Sequence, residues 1–167
     1  MNAGCFGNEI KDILISIQAI DKTGNVSTIS AEKINFDYRN NNLPDNLIFL
    51  SASFKGKKKN SDEIKEEMLK LKIRKDKNQP SRIKTSGSTF KNPIKQTDKK
   101  VWELIKESVP LNTSFGDACI SEKHSNFFVN KGNAKFTDMK KLIDFVVISV
   151  FKKTGINIEK EIKVIDN

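Results

Sequence analysis

From Ile10 to Asp21 apolar and polar positions alternate, with Ile13, Ile15, Ile17 and Ala19 set against Asp12, Ser16 and Gln18. A period of two predicts a half-buried strand. Asp21-Lys22-Thr23-Gly24-Asn25 predicts a hairpin-type turn, and Val26 to Ile29 a second strand. Ser30 to Lys33 reads as a short helix or turn with Ser30 in the capping position. Leu47 to Phe54 is apolar enough to predict a central third strand, followed by a solvated loop to Asn60. Ser61-Asp62-Glu63 then opens a helix. It has acids in its first turn, Ile64, Met68 and Leu71 on one face, and many cations from Lys70 to Lys77, where the dipole favours them. Gln79-Pro80-Ser81 breaks that helix and marks a boundary.

The second half is more regular. Ile83 to Phe90, Gly116 to Ser121, Asn126 to Asn130 and Ile158 to Ile165 predict strands, and Lys99 to Ser108 a helix. Thr137 to Lys153 is the clearest helix. Met139, Leu142, Ile143, Val146, Val147 and Val150 recur at helical spacing, Thr137 can cap it, and Gly155 lies past its end. The order β-α-β-β-α-β predicts an α+β layer with helices on one face of a sheet. The expected domains are 1–78 and 79–167.

Composition narrows the function. The 167 residues, 37% of them hydrophobic, suffice for a packed core. No apolar run reaches the roughly 18 residues of a membrane span, and no signal peptide is visible, so a cytoplasmic protein is expected. Cys5 and Cys119 lie far apart and read as reduced thiols. His124 is the single histidine, so a histidine-rich metal site is excluded and His124 reads as a surface or edge residue. The net charge of +9 raises nucleic acid as a partner. Against it, Arg39, Arg74 and Arg82 are the only arginines among 30 basic residues, and one Trp and one Tyr give few stacking platforms. No nucleic-acid partner is expected. A positive field still suits a phosphate-bearing small ligand.

The densest chemistry lies in Gly87-Ser88-Thr89-Phe90-Lys91-Asn92-Pro93. Gly87 allows close backbone approach, and Pro93 ends the preceding strand. Ser88, Lys91 and Asn92 can donate hydrogen bonds to an anionic or carbonyl-bearing ligand. A plain strand end explains the same residues equally well.

Five segments in order together resemble the UDP-N-acetylenolpyruvoylglucosamine reductase (UDP-N-acetylmuramate dehydrogenase) family. They are Met1 to Ile10, Phe36-Asp37-Tyr38-Arg39, Gly87 to Pro93, Ser121 to Phe127, and Ile158 to Ile162. The resemblance implies the end of a vanillyl-alcohol-oxidase-type FAD-binding domain, followed by a substrate-binding domain. It also implies that the amino-terminal half of the flavin domain, with its glycine-rich pyrophosphate loops, is missing from this sequence. The short segment from Phe54 to Pro80, with Tyr38 as the single tyrosine, places the chain with the subtype that lacks a tyrosine-bearing loop.

The implied reaction uses FAD and NADPH to reduce UDP-N-acetylglucosamine enolpyruvate, in a protein expected to be a monomer that meets no membrane. Three catalytic roles carry over. Arg39 meets the pyruvyl carboxylate, Ser88 donates the proton, and Glu161 hydrogen-bonds the developing acid, with a pKa raised by burial. Glu159 reads as structural. Tyr38, Lys77 and Asn92 are expected substrate contacts, Lys77 at the UDP phosphates. Gly4, Gly7 and Arg74 are expected flavin contacts. Lys163 stands where an arginine is common. Two other readings stay open: an inactive fragment that binds a UDP-sugar or nothing, and a small basic nucleic-acid binder.

Overall fold

The computed structural model describes residues 1–165 and divides into two compact units, Met1–Ser61 and Asp62–Asn167. The fold is α+β.

The first unit is built from hairpins. Strands β1 (Gly4–Cys5) and β2 (Asn8–Glu9) form a two-residue antiparallel ladder. Phe6 and Gly7 turn the chain between them with φ of 52° and 85°. A 3₁₀ turn at Ile10–Asp12 follows, so the predicted first strand begins later, as β3 at Leu14–Ile20. The Asp12 carboxylate accepts the Glu9 N–H at 2.6 Å, which favours the turn over extension. β3 pairs with β4 (Val26–Ser30) through the expected hairpin. There the Asp21 carboxylate accepts from Thr23 N and Oγ1 and from Asn25 N, and these bonds lower its pKa. Ala31–Lys33 is a 3₁₀ turn in which Ser30 takes the cap position without a side-chain cap bond. β5 (Ile48–Phe54) was expected at the centre of the sheet, but the order is β4-β3-β5 and β5 is an edge. β3 is the strand that pairs on both sides, and its Ala19 is fully buried.

The second unit opens with helix α1 (Ser61–Asn78). Its core is a four-stranded antiparallel sheet in the order β6-β9-β8-β7, from β6 (Lys84–Ser88), β7 (Ser114–Phe115), β8 (Ala118–Ile120) and β9 (Phe127–Asn130). Helices α2 (Val101–Ser108) and α3 (Phe136–Thr154) pack on each other, and α3 lies on β7 and β8. Register explains the two faces. Ala118, Ile120 and Phe128 join Val101, Leu104, Ile105, Leu142, Ile143, Val146 and Val150 in one core. Cys119, Val129 and Phe127 take the other face.

Two expectations for the second unit also change. Thr137 lies inside α3, whose cap position is Lys135, and the Asp138 carboxylate accepts the Lys135 N–H at 2.9 Å. The acid three residues on bonds the N–H of the cap residue itself, the reciprocal half of a capping box. The predicted strand from Ile158 to Ile165 reduces, among the described residues, to a single antiparallel bridge between Phe90 and Lys160. Beyond Ser88 the partner chain has left its ladder and meets Pro93, so no long edge is there to extend. Among the described residues no helix is long and apolar enough to cross a membrane.

Candidate active site

In the second unit the Gly87–Pro93 segment is shaped by a bulge. Thr85 pairs with Val129 and Ser88 with Phe127, so β6 holds one residue more than β9 between those rungs. Gly87 sits in the extra stretch with φ 87°, a conformation that favours glycine. The Thr85 hydroxyl donates to Phe128 O at 2.7 Å and accepts from Gly87 N at 3.3 Å, fixing the distortion. The bulge sets half-buried Ser88 opposite Phe127, on the sheet face away from the helices.

Past Ser88 the chain is clamped by the residues around Glu161. Glu161 N–H donates to Thr89 O at 2.8 Å, and Lys91 N–H donates to Glu159 O at 2.8 Å. The Lys91 ammonium also lies 3.7 Å from the Glu159 carboxylate. Ser88 and Glu161 are therefore brought onto neighbouring paired segments, Glu161 half-buried and Glu159 exposed. Asn92 Oδ1 accepts the Val101 N–H at 3.0 Å, so this amide ties the segment to the first turn of α2.

Lys77 lies at the end of α1 and Arg74 one turn earlier, both exposed. Lys77 lines a cavity of about 390 Å³ with Trp102, Lys106, Lys123 and His124. These four neighbours were not singled out as site residues in the sequence, because they come from separate elements. Lys123 donates to Asp76 O at 3.0 Å. His124 was expected at the surface or an edge. It is half-buried between the rings of Trp102 and Phe127, at centroid distances of 6.3 and 4.9 Å. Burial lowers its pKa. Its Nδ1 accepts the Asn126 N–H at 3.2 Å.

In the first unit Arg39 holds a left-handed backbone, φ 54°, in the turn Asp37–Asn40. Its guanidinium donates to Gly4 O at 3.2 Å and Asn2 O at 3.4 Å, and it stacks on the Tyr38 ring at 5.0 Å. Carbonyls and an aromatic face orient the planar fork. Asn2 is buried. It donates to Glu9 Oε2 at 2.8 Å and accepts from Lys11 N at 3.2 Å. The Glu9 pKa is held down, first by Lys11 and then by Asn2. Gly4 is required by packing, since a Cβ there would lie 2.9 Å from Glu9 Cγ. A Cβ on Gly7 would meet open space. The structure thus groups Gly4, Tyr38 and Arg39 in the first unit, and Ser88, Asn92 and Glu161 in the second.

The sequence profile described as UDP-N-acetylenolpyruvoylglucosamine reductase, C-terminal domain, matches residues 79–165. The chain belongs to this family. A UDP-N-acetylenolpyruvoylglucosamine reductase of Pelagibacter ubique is 70% identical over 165 residues, covering 99% of this chain and 55% of that protein. One of Rickettsia bellii (strain RML369-C) is 45% identical over 163 residues, covering 98% of this chain and 53% of that protein. The crystal structure of UDP-N-acetylenolpyruvylglucosamine reductase from Thermus caldophilus matches with a TM-score of 0.81 at 31% identity, over 98% of this chain and 57% of that one. The chain spans about half the length of the curated relatives it matches, and corresponds to their carboxy-terminal part.

Proposed function

We propose that this chain carries the proton-donating and substrate-holding part of a cytoplasmic enzyme that reduces UDP-N-acetylglucosamine enolpyruvate to UDP-N-acetylmuramate, for peptidoglycan synthesis. The observation that carries this reading is the pairing around Thr89. The Glu161 amide bonds Thr89 O at 2.8 Å, so the assigned serine and glutamate lie on neighbouring segments although they are distant in sequence.

The first unit fits a flavin in kind. It offers the open glycine turn at Gly7 and a sheet with exposed Ile15 and Phe49, suited to a flat, largely apolar ring system. Gly4, Gly7 and Arg74 are the residues assigned to hold FAD. When bound, FAD supplies a hydride, drawn from NADPH, to the enolpyruvyl methylene carbon.

The chain's residues do the rest. Arg39 holds the pyruvyl carboxylate and stabilises the charge that builds there, its planar fork matching the carboxylate. Ser88 gives its hydroxyl proton to the adjacent carbon, so hydride and proton together saturate the double bond. A serine hydroxyl is a weak acid, and the basic carbon of the intermediate drives the transfer. Glu161 hydrogen-bonds the developing acid. Tyr38 and Asn92 contact the substrate, and Asn92 also anchors α2. Lys77 meets the UDP phosphates. Support for that role is the cavity it shares with Lys106 and Lys123 beside the Trp102 ring, where three ammonium groups face the single carboxylate of Glu122.

The test joins this chain to the amino-terminal portion of the Pelagibacter ubique relative and loads the protein with FAD. NADPH oxidation is expected to depend on UDP-N-acetylglucosamine enolpyruvate, with one NADPH consumed per UDP-N-acetylmuramate formed. NADPH oxidation that ignores the substrate, or yields no reduced sugar, overturns the reading.

A further inference from the structure

The β6–β9 ladder ends at Ser88 opposite Phe127, yet the next two residues, Thr89 and Phe90, are buried. Their peptide groups need partners, because a buried unpaired N–H or C=O is costly. On one side the Glu161 N–H supplies the partner of Thr89 O at 2.8 Å. On the other side β9 has not yet begun, and a single residue stands in for the absent strand. Asn126 O accepts the Thr89 N–H at 2.8 Å. Its side-chain Oδ1 accepts the Phe90 N–H at 2.9 Å, and its Nδ2 donates to Phe90 O at 2.9 Å. The carboxamide copies a peptide unit and closes two bonds with one backbone residue.

Asn126 itself is fixed. It is buried, lies in the tight turn where Phe127 N–H bonds His124 O at 2.9 Å, and donates its own N–H to His124 Nδ1. Phe90 is therefore held between the Asn126 amide and the segment that carries Glu161.

We infer that Asn126 is a positioning residue that sets the register of Ser88 against Glu161 by acting as a surrogate strand rung on Phe90. The inference rests on the reaction proposed above. Asn126→Asp is the informative replacement. A protonated carboxyl at that position offers one donor and one acceptor, as the amide does, whereas an ionised one only accepts and would face the Phe90 carbonyl. Burial raises a carboxyl pKa, so the switch falls above the ordinary aspartate range.

Asn126→Asp is made in this chain and in the FAD-loaded protein described above. In the chain, amide exchange at Phe90 and Glu161 is expected to match wild type at low pH. Relative to wild type at the same pH, it should quicken roughly tenfold or more as the new carboxyl ionises, while Val146 in α3 keeps its wild-type protection. In the loaded protein, reoxidation by substrate should fall over the same pH window, with reduction by NADPH and the substrate KM unchanged. Glu161 exchange that ignores the ionisation of the introduced carboxyl overturns the clamp. Both half-reactions falling in parallel overturn the positioning role. If Ser88→Ala reoxidises normally, the proposed reaction fails, and the exchange at Glu161 still decides whether the clamp exists.

Discussion

Single residues here answer to backbone conformation before they answer to chemistry. Gly87 holds φ 87° with open space where a Cβ would stand, so an alanine there costs backbone strain and no clash. Gly87→Ala is expected to lower unfolding free energy by about 1 kcal/mol, and Gly87→Asn by less, since asparagine tolerates the left-handed region. Urea denaturation measures both; equal and negligible costs would contradict the bulge.

His124 offers a second residue-scale test. Burial lowers its pKa from the ordinary 6.5. A lowered histidine pKa means that the unfolded chain binds the proton first. Its contribution to stability is then complete above pH 6.5 and is lost as pH falls toward the folded pKa. As the chain's single histidine, it gives one pair of imidazole C–H proton signals by NMR, expected to titrate below 6.5. A midpoint at or above that ordinary value refutes the burial argument.

At this scale the sequence shows residue types and hides their local partners. The hydroxyl of Ser88 and the fork of Arg39 were visible as residue types. That Asn92 spends its oxygen on Val101, and that His124 sits between two rings, depends on distant segments that no local pattern records.

At the element scale, long periodic segments were legible and short ladders were not. Helix α3 shows its buried stripe in the sequence because Leu142, Ile143, Val146 and Val150 must all face one core. Strands β1, β2 and β7 are two residues each, too short for alternation to register. The stretch from Ile158 alternates as a strand would, but pairing needs a partner edge, and the bulge and Pro93 leave it one bridge. Helix α2 depends on a side chain outside it, because Asn92 Oδ1 holds the Val101 N–H. Asn92→Ala is expected to cost about 1 kcal/mol of stability, as loss of a helix cap does. If Asn92 also contacts substrate, the same variant raises KM in the loaded protein. Thermal unfolding and steady-state kinetics read the two effects separately, and an unchanged stability would mean that α2 does not rely on Asn92.

Across the whole molecule, the α+β class and the family were legible because five short segments keep their order along nearly the entire chain. The expected boundary rested on the helix-breaking Gln79-Pro80; the compact units divide after Ser61, and the family profile begins at residue 79. The central claim is that Ser88 gives the proton that completes reduction of the enolpyruvyl double bond. Stopped-flow absorbance of the FAD-loaded protein tests it by following each half-reaction alone. Ser88→Ala should leave flavin reduction by NADPH at the wild-type rate and slow reoxidation by UDP-N-acetylglucosamine enolpyruvate by roughly 10²- to 10⁴-fold. Reoxidation at the wild-type rate, or an equal loss in both half-reactions, would contradict it.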